Sequence, residues 1–177
     1  GKLLGPRWAT KSGLGSYSLR LPGGPTVGAL VAVNAFGDVV DPGSGEVVAG
    51  TRRPLLGGFW GASRQLRGGL AQLLLRFARN SNTTIGLVAT DAPLEHEAVC
   101  KMAEVAHDGL ARAIRPVHTM WDGDALFALA TGRSSVPSIE ASVVAEMAAW
   151  ALTVATLRAV WLAEPLAGLP SARSLGK

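Results

Sequence analysis

Apolar and polar positions switch between two periods along this chain, and the switches predict the order of its elements. Tyr17 to Leu21 alternates and reads as a strand. Pro22-Gly23-Gly24-Pro25 turns the chain, and Thr26 to Ala35 is a long apolar run of β-branched character, so the two form a hairpin. Two turn signals between Phe36 and Gly45 frame a short strand, and Glu46 to Ala49 reads as another. Gly50 to Gly61, rich in Gly and Arg, reads as an exposed, mobile loop. Leu66, Leu70, Leu73, Leu74 and Phe77 then recur at i, i+4, i+7, i+8 and i+11, one face of a helix whose remainder carries Arg64, Arg67, Arg76 and Arg79.

Asn80 to Thr84 is a polar knot that reads as a turn, because Asn, Ser and Thr side chains bond their own backbone. From Ile85 the pattern becomes a short apolar run, a buried strand. Leu94, Ala98, Met102, Val105 and Leu110 define a second amphipathic helix, with start signals at Asp91 and Pro93 and a stop at Pro116. Val117 to Trp121 and Ala125 to Thr131 are strand candidates. Asp122-Gly123 between them is a hairpin signal. From Ser138, a candidate N-cap, one long helix is expected over Ile139 to Glu164, ended by Pro165. Its charges Glu146 and Arg158 leave eleven uncharged residues between them, short of the ~20 a membrane span needs. It reads as a buried helix of a soluble protein.

With 177 residues and 48% hydrophobic content, the chain supports one sizeable core. Cys100 is the single cysteine, so no internal disulfide is available; its neighbours Val99 and Met102 suggest a buried, inert thiol. An N-terminal apolar signal is lacking, and a cytoplasmic location is the expectation. The net charge of +4 divides unevenly, +7 up to Asn82 and −3 from Thr83 onward. No aromatic-interleaved basic stripe accompanies the basic half, so neither a nucleic-acid nor a membrane partner is expected, and the two halves are read as attracting each other.

The candidate chemistry centres on Asn82-Thr83. Cutting that bond would give Thr83 a hydroxyl and a free α-amine on one residue, a nucleophile with a built-in base. Asn34, near the end of its strand, is a turn former or an amide donor toward an oxyanion. The loop Lys11-Ser12-Gly13-Leu14-Gly15-Ser16 could cradle an anion, yet it matches neither the phosphate loop nor the dinucleotide fingerprint, and the turn reading outweighs it. Asp122 is most simply a turn residue, whereas Asp124 leads back into an apolar strand. His96 and His107 lie too far apart on their helix for a metal pair and read as ordinary surface or core-edge residues. His118 reads as a satisfied, half-buried strand residue. No metal and no cofactor is expected.

The stretch Asn82-Thr83-Thr84-Ile85-Gly86-Leu87-Val88-Ala89-Thr90-Asp91-Ala92 resembles the autocleavage site of the nylon-oligomer hydrolases, which group with the D-aminopeptidases and β-aminopeptidyl amidases among N-terminal-nucleophile enzymes. Three further stretches carry the resemblance in the same order, residues 28–35, 106–114 and 118–124. The resemblance implies an α+β fold, a four-layer αββα sandwich. It implies a precursor cut between Asn82 and Thr83 into residues 1–82, the end of one subunit, and 83–177, the other, with the two cleaved chains staying associated and assembling as a homo-oligomer of heterodimers. It implies amide hydrolysis by Thr83, with Asp122, Asp124, Asn34 and Lys11 in the same site. Substrates would be aminohexanoate oligomers, or amides of β- and D-amino acids. Family members carry a further N-terminal segment, so the chain is expected to be the C-terminal part of a precursor; a non-catalytic remnant of the same fold is the rival reading. Ser12 stands where a Gly is more usual.

Overall fold

A computed structural model describes residues 1–68, 82–135 and 139–177. The expected α+β class is observed. A four-stranded sheet is built from β1 (Leu14–Arg20), β2 (Thr26–Asn34), β5 (Thr83–Thr90) and β7 (Ala125–Ala130), in the order β1-β2-β5-β7. The first three strands run antiparallel to their neighbours, while β5 and β7 are parallel. β3 (Asp38–Val40) pairs with both β4 (Val47–Ala49) and β6 (Ile114–Arg115) in a smaller sheet.

Alternation along the strands divides the large sheet into two faces. Val27, Val31, Val33, Thr84 and Val88 point inward and are buried. Two helices cover that inner face, α2 (His96–Ala113) and α3 (Ala141–Trp161). Helix α3 is long and apolar enough, by composition, to cross a membrane, but most of it is buried. Gly15 makes its close approach possible: a Cβ there would lie 2.0 Å from the Ala155 carbonyl oxygen. The outer face presents Leu14, Leu30, Ile85 and Phe127, all at least half exposed. Sheet and helices thus account for two layers of the expected sandwich.

Several sequence expectations are corrected. Val117 to Trp121 is a turn-rich loop rather than a strand, with His118 at a left-handed φ of 53°. No hairpin forms across Asp122-Gly123, because β7 pairs with β5 and the polar groups of the turn are engaged elsewhere. Strand β1 begins at Leu14, three residues before the alternation suggests. Gly50 and Thr51, expected in an exposed loop, are buried: Asp38 accepts the Thr51 amide at 3.1 Å and also the Ala62 amide. Cys100 is exposed, with Sγ 3.5 Å from His96 Nε2. Among the described residues one ion pair joins the two halves, Lys177 to Glu46 at 3.3 Å, and the Asp122 charge also acts on Lys2. A short helix α1 spans Ala62–Leu66 and is capped at Arg67, so it shares only Leu66 with the helix expected over 66–77. Residues 69–77 of that expectation, and the Ser138 cap, lie outside the described residues.

Candidate active site

The site is assembled where β2 ends and β5 begins. In the antiparallel register Asn34 faces Thr83, and strand alternation puts both side chains on the outer face of the sheet. Thr84, one residue on, points the opposite way and is fully buried. Of the two adjacent threonines, therefore, Thr83 is the one that reaches a cleft. That cleft measures about 560 Å³, within the range of small-molecule sites, and its walls include Lys2, Lys11, Leu14, Asn34, Thr83 and Ile85.

Thr83 Oγ1 donates to the carbonyl oxygen of Asn82 at 2.5 Å. The same oxygen accepts the Gly123 amide at 2.9 Å. The nucleophile candidate thus lies against the carbonyl of its own preceding peptide, and that carbonyl is polarised by a fixed backbone donor. Asn82 is held from behind, being 2% exposed with Nδ2 donating to the Trp121 carbonyl at 3.2 Å.

The two aspartates flank this arrangement without bonding Thr83 itself. Asp122 Oδ1 accepts the Phe36 amide at 2.9 Å, and Oδ2 accepts the Thr119 hydroxyl at 2.6 Å. It thereby ties the exit of β2 to the 119–122 turn. Asp124 Oδ1 accepts the Thr84 amide at 2.8 Å, and Oδ2 faces His118 Nδ1 at 2.9 Å. Gly123 and Asp124 together therefore hold the Asn82-Thr83 peptide, one donating to its carbonyl oxygen and the other accepting the amide of the next peptide.

Of the two lysines, Lys11 lines the cleft but its Nζ donates to the Ser12 carbonyl. Lys2, which the sequence does not single out, donates to Asn34 Oδ1. An ammonium has only donors, so the oxygen of the Asn34 amide is the atom that faces Lys2. Burial holds the Lys2 pKa below its ordinary value, and the Asp122 charge opposes that shift. Lys2, Gly123, His107 and His118 are thus additions to the sequence-derived set. His107, His118 and Gly123 do fall within the 106–114 and 118–124 stretches, whereas Lys2 has no such signal. Among the described residues no cluster of His, Cys, Asp and Glu fits a metal ion.

The profile of peptidase family S58 matches residues 7–173. An uncharacterized aminopeptidase of Mycobacterium tuberculosis is 43% identical over 94% of this chain and 53% of its own. The 6-aminohexanoate-oligomer endohydrolase of Paenarthrobacter ureafaciens is 29% identical over 64% of this chain and 32% of its own. Among solved structures, the L-aminopeptidase D-Ala-esterase/amidase of Ochrobactrum anthropi, described as a variant of the Ntn hydrolase fold, superposes with a TM-score of 0.56 at 22% identity. That match covers 92% of this chain and 44% of the Ochrobactrum chain. The chain spans about half the length of the mycobacterial relative. By its sequence, the chain belongs to peptidase family S58.

Proposed function

We propose that this chain carries the nucleophile of a self-cleaving amide hydrolase, cut between Asn82 and Thr83. One observation carries the reading: Thr83 Oγ1 is 2.5 Å from the Asn82 carbonyl oxygen, which a Gly123 amide already polarises. In the first step Oγ1 attacks that carbonyl carbon, the C–N bond breaks, and the hydroxyl proton goes to the departing nitrogen. Water then hydrolyses the resulting ester, releasing the Asn82 carboxylate and leaving Thr83 with its hydroxyl and a free α-amine. An α-amine has a pKa of roughly 7.7–8.0, so near neutrality it can take the hydroxyl proton in a second round of attack, on a substrate amide. Asn34 Nδ2, turned from Lys2, serves as a donor to the substrate oxyanion.

The cut would not separate the halves. Strand β2 belongs to the first fragment and β5 to the second, and they pair over eight residues, 27–34 with 83–90. The outer apolar face around Leu30, Ile85 and Phe127 suits a second sheet layer of the same sandwich.

Among the described walls of the cleft stand two lysines and no acid, which suits an amide carrying a carboxylate. This favours linear amide oligomers with a free acid end, such as those of 6-aminohexanoate. A second reading, release of N-terminal amino acids, is supported by the name of the 43%-identical mycobacterial relative. Offering the full-length protein 6-aminohexanoate oligomers alongside short amino-acid amides, with Thr83→Ala as control, separates them. Turnover of the amides alone would establish the second reading; equal turnover with Thr83→Ala would remove the nucleophile assignment altogether.

A further inference from the structure

Behind the residues of the cleft, two histidines stand in line with Asp124. His118 Nδ1 lies 2.9 Å from Asp124 Oδ2, and His118 Nε2 lies 3.1 Å from His107 Nδ1. The two rings meet edge to face with centroids 4.7 Å apart. His107 projects from α2, and His118 from the loop before Asp122. Asp124, whose side chain is only 3% exposed, also accepts the Thr84 amide next to the candidate nucleophile. A continuous set of contacts therefore runs from the surface of a helix to the Thr83–Thr84 peptide, the one following the proposed cut.

The backbone supports this alignment. His118 holds a φ of 53°, a region that residues other than Gly, Asn and Asp rarely enter. Such strain persists only where the surroundings fix it. Here the fixing contacts are the Asp124 carboxylate on one side of the ring and His107 on the other.

The proton positions follow from the partners. A carboxylate only accepts, so His118 Nδ1 carries a hydrogen. In the neutral ring Nε2 is then a lone pair, and His107 Nδ1 must donate to it. His107 Nε2 is left as the outer end. A proton taken up there, with the shared proton free to cross the 3.1 Å contact, gives the pair one positive charge beside Asp124. One proton enters and none leaves. At His107 burial, and then the neighbouring His118, oppose this uptake and outweigh Asp124 and Asp108, which favour it.

We propose that His118, backed by His107, is a positioning residue for the Thr83 centre. It holds Asp124 as a carboxylate on the Thr84 amide, and it makes the charge beside the scissile peptide depend on proton uptake at the surface of α2. The inference rests on the reading of Thr83 as nucleophile. In its terms the neutral pair leaves Asp124 its full negative charge, so cleavage rises as pH climbs through the imidazole range.

The test measures the rate of the Asn82–Thr83 cut by intact mass in the full-length protein, between about pH 5 and pH 8. His118→Asn tolerates a left-handed φ and keeps a donor toward Asp124, but it cannot take up a proton. It is expected to cleave with a flattened pH dependence. His118→Ala, which leaves the Asp124 oxygen unpartnered, is expected to lose at least about tenfold in rate. A His118→Asn profile matching wild type, or a His118→Ala rate matching wild type, overturns the proposal. A second readout does not need the cut. In the uncleaved Thr83→Ala protein, the imidazole resonances of His107 and His118 should titrate as a coupled pair, and Asp124→Asn should shift both. Independent titration of the two rings overturns the proposal. Failure of wild type to cleave at any pH would remove the nucleophile reading, while the resonances would still decide the histidine pair.

Discussion

Thr83 and Thr84 are chemically identical neighbours, and the structure assigns them opposite consequences when the hydroxyl is removed. Thr84 is 0% exposed and its Oγ1, buried, has no hydrogen-bond partner among the described residues. Leaving a buried hydroxyl unpaired costs about 1–3 kcal/mol, and an apolar isostere of the same shape avoids that cost. Thr84→Val keeps the β-branched shape that suits β5, and its amide to Asp124 is untouched. The substitution is therefore expected to stabilise the fold by about 1 kcal/mol, or about 2–4 °C in melting temperature for a chain of this size. Thr83 is half-buried, and its hydroxyl bonds a carbonyl that keeps the Gly123 amide as a second partner. Thr83→Val should thus change stability by no more than about 0.5 kcal/mol while abolishing the cut. The assay compares Thr83→Val with the double variant by thermal melting, so that both chains are whole, and follows cleavage of the single Thr84→Val variant by gel. A double variant that melts lower than Thr83→Val, or a Thr84→Val chain that stays uncut, would show that the face assignment of β5 is wrong.

Other substitutions address the surroundings. At Gly123 a Cβ would lie 3.3 Å from Thr83 Oγ1, so Gly123→Ala should keep the fold but displace the hydroxyl and slow cleavage by about tenfold, read as the half-time of fragment appearance. Asp38, 1% exposed, accepts the Thr51 and Ala62 amides, and Asp38→Ala leaves both without that acceptor; a loss of about 2–4 kcal/mol in chemical denaturation is expected. The pKa of His107 is lowered, first by burial and then by His118. The folded chain therefore binds fewer protons than the unfolded one between that depressed pKa and about 6.5, and stability is lost as pH falls through this window. His107→Gln should remove that component of the acid sensitivity, visible as a smaller drop in melting temperature between about pH 7 and pH 5.

Much of the fold was legible because its strongest signals are local. The apolar runs at Val27 to Val33 and Ile85 to Val88 became paired central strands, and the charge-poor 139–164 pattern became the buried α3. The loop from Val117 to Asp124 was not legible, for a physical reason. Asp-Gly ordinarily turns a hairpin by using its own polar groups locally. Here the Gly123 amide goes to Asn82, and the two carboxylates go to Phe36 and Thr84, so a hairpin signal is converted into a clamp on a distant strand. The roles of Lys2 and His107 were not legible for the same reason, since each acquires its role only from a partner 32 or 11 residues away. Cys100 sits among apolar neighbours in sequence yet on the outer side of α2, where periodicity outranks adjacency.

The central claim is that Thr83 attacks the carbonyl it already touches. The most direct test is the intact mass of the freshly purified full-length protein, with N-terminal sequencing of the C-terminal product. The account predicts two fragments, the second beginning Thr83-Thr84-Ile85-Gly86, and a single uncut species for Thr83→Ala. A wild-type chain that remains whole, or a Thr83→Ala chain that still splits after Asn82, would contradict it.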